Sequence, residues 1–300
     1  MITYRKFVLS EYSDCLIVTD GNIARLYGIK GDNVYILPQG EKAKCFAEAE
    51  KLCKWFLLKK LPRSGTVVAV GGGSIGDAAG FAASIYKRGT SLIHVPTTLV
   101  AQIDSSIGGK TAVDLDGVKN AVGTFYNADT VIDFDFLRTL NAEQLNDGYG
   151  ELIKYRMLSE EISAIPVDNT EAVIKACVSY KEEICKRDPY DSNERRLLNF
   201  GHTIGHAMEL CLGISHGKAV ANGLYYETLL AFKAGKCPQD YCRKWRSEIS
   251  EKFRIYPLTE EILNYTVNDK KNAFGKVAFI LPHEFAFTEM PLDVVKSLLL

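Results

Sequence analysis

Apolar residues in the first half of the chain fall in short unbroken runs, and in the second half they recur at helical spacing. Cys15-Leu16-Ile17-Val18-Thr19 is short, apolar and β-branched, as a strand covered on both faces of a parallel sheet must be. Residues 34–37, 66–70, 92–98 and 131–133 repeat that pattern. Between them, residues 42–60 read as an amphipathic helix, and Asp20-Gly21-Asn22 as a turn able to open another. Strands alternating with helices predict an α/β fold with a mostly parallel sheet. Beyond Leu137-Arg138-Thr139-Leu140 the strand signals fade, and helical periodicity dominates residues 141–252. A last strand is expected at residues 276–281, after the charged turn Asn268-Asp269-Lys270-Lys271-Asn272. The predicted division is an α/β domain over residues 1–145 and a mainly helical domain over residues 146–300.

Composition narrows the class. With 47% hydrophobic and 24% charged residues the chain reads as a soluble globular protein, and a net charge of −1 gives no electrostatic case for nucleic-acid binding. No apolar run is long enough to span a bilayer, and Met1-Ile2-Thr3-Tyr4-Arg5-Lys6 has no secretory pattern, so no membrane association and a cytoplasmic location are expected. Eight cysteines without a Cys-x2-Cys pair read as free thiols rather than a zinc–thiolate cluster.

The candidate chemistry sits at the strand ends and in one helix. Gly71-Gly72-Gly73-Ser74-Ile75-Gly76-Asp77 follows a buried strand and opens a helix, a backbone able to approach a pyrophosphate; tight strand–helix packing needs glycine as well. It is no Walker loop, for Gly-Lys-Ser/Thr is missing. Asp20, just past a strand, suits a ribose hydroxyl or a plain turn. Residues 101–111, with Asp104 and Lys110, are too polar and glycine-rich for a core, and Lys110, Lys119 and Asn120 suit a phosphate pocket or a solvated surface. Glu151 and Lys154 share a helical face, either as an exposed ion pair of little worth or, as the flanking Gly148, Leu152 and Ile153 suggest, as buried charges. Lys181, Lys186, Arg187 and Arg195 group around Asp188 and Asp191, and the spacing of Arg195, Asn199 and His202 predicts one helical stripe. Three of the five histidines fall between positions 202 and 216. His202 and His206, four apart, are either a metal pair or a hydrogen-bonded core pair; His216, beside a Ser-Gly break, either returns to them or is an ordinary turn residue.

Taken together, Val18-Thr19-Asp20, the Gly71–Asp77 segment, Val95-Pro96-Thr97-Thr98 through Gly109-Lys110-Thr111, Gly150-Glu151-Leu152-Ile153-Lys154-Tyr155, Leu198-Asn199-Phe200-Gly201-His202-Thr203-Ile204-Gly205-His206 and Asp269-Lys270-Lys271 make a set. In this order, over residues 16–282, the set resembles the 3-dehydroquinate synthases among the sugar-phosphate cyclases. The resemblance implies a dehydroquinate synthase-like fold: an NAD-binding α/β domain, a helical metal-binding domain and a cleft between them. It implies that Glu151, His202 and His216 hold zinc, or cobalt in its place, so that His206 faces substrate rather than metal. It makes Asp20, Glu41, Lys44, Gly73, Asp77, Thr97, Thr98, Asp104, Lys119, Thr139 and Leu140 NAD contacts. It makes Lys110, Asn120, Lys154, Lys181, Arg195, Asn199, His206 and Lys270 or Lys271 substrate contacts. Arg88 would reach the phosphate pocket of a second subunit, which implies a homodimer.

The implied substrate is a phosphorylated keto acid, 3-deoxy-D-arabino-heptulosonate 7-phosphate. The implied products are 3-dehydroquinate and phosphate, in the shikimate route to aromatic amino acids. The implied steps are transient oxidation by NAD, β-elimination of phosphate, re-reduction and intramolecular aldol closure. Lys181, Arg195 and Asn199 favour a substrate with a carboxylate over the sugar phosphates of related cyclases. A metal- and NAD-dependent polyol dehydrogenase of the glycerol dehydrogenase type and a catalytically dead homologue are the rival readings. The chain departs from the family in a short segment before Val18, in abbreviated C-terminal helices and in Gly217-Lys218, where Gly-Glu is usual.

Overall fold

A computed structural model describes residues 1–266 and 276–300, which divide into two compact units, Met1–Asn141 and Ala142–Leu300. In the first unit six parallel strands lie in one sheet, in the order β1 (Ile2–Tyr4), β8 (Asp129–Ile132), β5 (Ser91–Pro96), β4 (Thr66–Gly71), β2 (Leu16–Asp20) and β3 (Val34–Leu37). The two-residue period of a strand sends alternate side chains to opposite faces. Leu16, Val18, Val67 and Ala69 join one core with Leu52 and Phe56 of α2 (Phe46–Leu58) and the alanines of α3 (Gly73–Ile85). Ile17, Val68 and Val70 join the other, with Ile23 of α1 (Gly21–Tyr27), Tyr12 and Phe136. Burial on both faces is why these strands read as continuous apolar runs.

The chain leaves β2 towards one edge, returns, and leaves β4 towards the other. The β2–β4 boundary is therefore a topological switch point, where the carboxyl ends of two adjacent strands open into a crevice. An antiparallel hairpin, β6 (Lys110–Leu115) and β7 (Val118–Phe125), packs on α3. A side chain at Gly80 would run into Thr111 of that hairpin, so the glycine sets the approach.

In the second unit α4 (Ala142–Leu158), α7 (His202–Leu212) and α9 (Gln239–Lys252) surround the central α8 (His216–Lys233), whose Ala219, Val220, Ala221 and Leu224 are wholly buried. The short α5 (Glu160–Ala164) leads to α6 (Thr170–Arg187). Beyond α9 come α10 (Glu260–Thr266), the hairpin β9 (Lys276–Leu281) and β10 (Ala286–Pro291), and α11 (Leu292–Leu299). Val277 and Phe279 close the core against Ile204, Met208 and Leu230.

Two sequence expectations need correction. The helix expected over residues 42–60 begins at Phe46; Gly40–Ala43 is a 3-10 turn, and Lys44 and Cys45 have non-helical backbone. Nor do Arg195, Asn199 and His202 share a helix. Glu194–Asn199 is a 3-10 turn, and Gly201, at φ 78°, breaks the chain before α7 begins at His202. The glycine is needed there, because a left-handed backbone is strained for any residue with a Cβ.

Candidate active site

The second unit gathers Glu151 of α4, His202 of α7 and His216 of α8. Glu151 Oε1 lies 3.1 Å from His202 Nε2 and 2.9 Å from His216 Nε2. Glu151 is 2% exposed, and its Oε2 accepts no hydrogen bond among the described residues. Lys154 Nζ stands 2.6 Å from Oε2, a charge contact outside hydrogen-bonding alignment. Burial opposes the charge on Glu151, but Lys154 and His202 hold its carboxyl well below the usual range.

The outer nitrogens are also committed. His202 Nδ1 lies 3.1 Å from the Phe200 carbonyl oxygen, and His216 Nδ1 3.2 Å from Glu209 Oε2. Each ring thus faces an oxygen acceptor at both nitrogens. Burial lowers the pKa of His202, so its neutral ring has one proton for two acceptors. Burial works against charge on His216 as well, but Glu151 and Glu209 outweigh it and raise the ring to about 10. Without a metal, His216 Nε2 carries a proton towards Glu151; a cation that displaces this proton, with each Nδ1–H given to its oxygen, would meet two Nε2 lone pairs and a carboxylate at one point. A divalent cation fits that donor set: one carboxylate and two imidazoles suit zinc and leave a position for a substrate.

Glu209 was not singled out in the sequence, although it falls seven residues after His202 and so on the same helical face. His206 stands beside the cluster, its ring 5.2 Å from His202 and 6.0 Å from His216. Lys218 does not turn towards the cluster; its ammonium pairs with Glu143 at 2.5 Å.

Lys154, Lys181 and Arg195 are buried cations of this unit, at 1%, 6% and 2% exposure. The expected basic group is split: Lys186 and Arg187 face solvent, and Arg187 is held in two bonds by Glu194. Asp188 fixes the turn that presents Arg195, accepting the N–H groups of Ser192, Asn193 and Arg195. Burial disfavours its charge, yet those backbone donors hold it well below the carboxylate range. Asn199 ends the 3-10 turn and donates to the Arg196 carbonyl. Lys270 and Lys271 lie outside the described residues.

In the first unit the switch point carries Asp20 and the Gly71-Gly72-Gly73 turn. Asp20 Oδ1 accepts the N–H groups of Asn22 and Ile23, capping α1. The N-terminus of α3, at Gly72-Gly73, has no side-chain cap. Around it a small pocket is lined by Gly71, Gly72, Gly73, Pro96, Ser105 and Ser106. The buried Thr97 Oγ1 and Ser105 Oγ have no hydrogen-bond partner among the described residues. An uncapped helix end with unpaired hydroxyls at the crevice fits the phosphates of a dinucleotide. Thr98 Oγ1 accepts from the Ala101 N–H, and Asp104 lies in the one-turn π-helix that follows.

Lys44 gathers several other expected contacts. Its buried ammonium meets Asp77 Oδ2 at 2.9 Å, Asn120 Oδ1 at 2.6 Å and Glu41 Oε2 at 3.9 Å, while Lys119 holds Glu41 Oε1 at 3.0 Å. Burial opposes the charge on Lys44, but Asp77 and Glu41 raise its pKa. Burial also pushes the Asp77 carboxyl up, against the pull of Lys44. Thr139 Oγ1 bonds the Tyr27 hydroxyl at 2.6 Å, and Leu140 follows it at the end of that turn. Lys110 and Arg88 are exposed, Arg88 with a left-handed φ of 65°.

An α/β unit with an open dinucleotide-type crevice, followed by a helical unit with a Glu-His-His cluster, defines the dehydroquinate synthase-like class. Residues 34–147 match the family model for the 3-dehydroquinate synthase N-terminal region, and residues 148–272 the model for its C-terminal region. The 3-dehydroquinate synthase of Alkaliphilus metalliredigens is 38% identical over 295 residues, covering 89% of this chain and 83% of its own. That of Thermoplasma volcanium is 40% identical over 301 residues, covering 91% and 83%. A crystal structure of 2-deoxy-scyllo-inosose synthase complexed with carbaglucose-6-phosphate, NAD+ and Co2+ superposes with a TM-score of 0.82 at 26% identity, over 99% of this chain and 95% of that one. The chain belongs to the 3-dehydroquinate synthase family.

Proposed function

We propose that this chain is an NAD- and metal-dependent 3-dehydroquinate synthase, a carbon–oxygen lyase that converts 3-deoxy-D-arabino-heptulosonate 7-phosphate to 3-dehydroquinate and phosphate in the shikimate pathway. The observation that carries it is the meeting of Glu151, His202 and His216 within reach of one cation, in a chain of this family. NAD+ binds the first unit and the metal the second. Zinc or cobalt held by that triad would supply Lewis acidity, and NAD+ a hydride acceptor that is regenerated each cycle.

The chain's own groups do the rest. The N-terminus of α3 receives the dinucleotide phosphates, with the Thr97 and Ser105 hydroxyls beside it. Asp20 Oδ2, left over from the capping bonds, takes a ribose hydroxyl. Lys44 holds Asp77 and Glu41 in place at the same face. Arg195 and Lys181 bind the substrate's carboxylate, with Asn199 adding an amide donor. Fixed buried cations favour an anion because their desolvation is already met within the fold. Lys154, Lys110, Asn120 and Arg88 bind phosphate and hydroxyl oxygens, Arg88 from a second copy in a homodimer. His206 holds or moves a proton. Lys270 or Lys271 adds a further cation. The enzyme acts in the cytoplasm; among the described residues no helix is long and apolar enough to cross a membrane.

Incubation of the purified chain with NAD+, zinc and the heptulosonate phosphate tests the proposal. Phosphate and 3-dehydroquinate should appear in equal amounts with no net NADH. NADH accumulating without phosphate would instead mark a polyol dehydrogenase, and another cyclase would turn over only a sugar phosphate lacking the carboxylate.

A further inference from the structure

The three helices that carry Glu151, His202 and His216 are tied to one another by carboxylates that are not in the triad. Asp147, one turn before Glu151 on α4, accepts through Oδ1 the N–H groups of Gly217 at 2.8 Å and Lys218 at 3.3 Å. These are first-turn amides of α8, next to His216, and the helix's own cap residue, Ser215, contributes no side-chain bond. Glu227, further along α8 and fully buried, accepts the N–H of Gly201 through Oε2 at 2.8 Å and that of Ile204 through Oε1 at 3.1 Å. Those amides open α7, on either side of His202, and its cap residue is Gly201, which has no side chain. So α4 caps α8, and α8 caps α7.

A helix start leaves its first N–H groups without partners, and a local Ser, Thr, Asp or Asn usually supplies them. Here both starts are capped from a neighbouring helix, and each capped turn begins with a histidine of the triad. Glycine makes the reach possible. A Cβ on Gly150 would overlap the Gly217 carbonyl, one on Gly217 the Asp147 carbonyl, and one on Gly223 the Gly201 carbonyl.

We propose that Asp147 and Glu227 are positioning residues, which fix the first turns of α8 and α7 so that His216 and His202 meet Glu151 at metal-ligand spacing. The inference rests on reading that cluster as the metal site. It also separates the two carboxylates. Asp147 uses one oxygen for both bonds, so an asparagine oxygen can replace it. Glu227 uses both oxygens, and a glutamine would turn an amide donor against an N–H.

The test titrates Co2+ into metal-stripped protein and follows the visible absorption of the bound ion, for wild type and for Asp147→Ala, Asp147→Asn and Glu227→Gln. Asp147→Ala and Glu227→Gln should weaken Co2+ binding roughly 10–100-fold, the usual effect of losing a group behind a ligand. Asp147→Asn should stay within about threefold of wild type. Hydrogen exchange on metal-free wild type, which needs no variant to fold, should show the Gly201, Ile204, Gly217 and Lys218 amides protected. Co2+ affinity unchanged in Asp147→Ala or Glu227→Gln, or fast exchange at those amides, overturns the inference and leaves the function standing. A wild-type chain that takes up no Co2+ overturns both.

Discussion

Lys154 Nζ lies 2.6 Å from Glu151 Oε2, on the carboxylate oxygen that neither histidine touches, and both side chains are at most 2% exposed. In the metal-free chain Lys154 is therefore a fixed positive charge on one oxygen of a buried anion, with the His216 ring on the other. Removing one partner of a buried pair costs about 3–5 kcal/mol, because the other is left uncompensated. A cation in the triad supplies charge to the same carboxylate. Lys154→Met should lower the stability of metal-stripped protein by about that amount, and by clearly less at saturating zinc. Chemical denaturation with and without chelator reads the difference. An equal loss in both states would mean that metal and lysine do not share Glu151.

Arg195 is buried and held by its own turn. Asp188 takes its backbone N–H at 3.0 Å, and its Nη1 donates to the Pro189 carbonyl at 2.9 Å. If the guanidinium meets the substrate's carboxylate, Arg195→Ala forfeits a charged hydrogen bond of about 1.5–3 kcal/mol, or roughly 10–150-fold in substrate Kd. NAD+ affinity should stay the same. Calorimetry with each ligand separates the two, and unchanged binding of the heptulosonate phosphate would remove Arg195 from the substrate site.

In the first unit Lys44 is the shared cation of Asp77 and Glu41, all three proposed as NAD contacts. Without it the partly buried Asp77 faces Glu41 and Asp114 with its main counter-charge gone, and the carboxylates repel one another. Lys44→Met should raise the NAD+ Kd about tenfold or more, equivalent to about 1.4 kcal/mol. Metal uptake by the helical unit should not change. Fluorescence titration with NADH gives the first quantity, and a shift in Co2+ affinity would contradict the second.

What the sequence discloses and what it hides follow from the range of the interactions. The central strands are legible because burial on both faces demands unbroken apolar runs, as in Leu16-Ile17-Val18. The β6–β7 hairpin carries no such apolar run; its local mark is Asp116-Gly117, which stands between its strands with φ of 50° and 79°, the left-handed pair that a tight hairpin turn needs. Lys44 lies outside its expected helix because its backbone pairs with the β6–β7 hairpin, its carbonyl accepting the Asp114 N–H at 2.8 Å, a demand that no local pattern encodes. In the site, the spacing of His202 and His206 names a shared face but cannot say which ring meets Glu151. His216 enters only because α8 packs against both α4 and α7. Asp147 and Glu227 left no signal, since the turns they cap lie far from them in sequence.

His94 gives a pH dependence of known sign. It lies on β5 beside Gly76 of α3, and burial lowers its pKa from 6.5 to about 4. The unfolded chain therefore takes up this proton at a higher pH than the folded one. The stability due to neutral His94 is complete above pH 6.5 and drains away as pH falls towards 4, a loss of about 3 kcal/mol for a shift of this size. Metal-stripped wild type and His94→Gln, compared by denaturant midpoint from pH 7.5 to 4, should diverge in that sense, the variant being the less pH-sensitive. Parallel curves would show that His94 is protonated as easily in the fold as outside it.

Gly150 tests how closely α4 and α8 must approach. It sits between Asp147 and Glu151 in sequence, and a Cβ there would penetrate the carbonyl group of Gly217, which is backbone and cannot rotate aside. Gly150→Ala must push α8 away from α4. Helix propensity alone favours alanine over glycine by about 1 kcal/mol, so a purely local effect would be stabilising. The overlap acts the other way: overpacking of this kind costs about 1–3 kcal/mol and outweighs the gain. It also lengthens the distance from Glu151 to His216, now 2.9 Å. The variant should therefore lose both thermal stability and Co2+ affinity. A more stable Gly150→Ala with intact metal uptake would show that the two helices have room to spare.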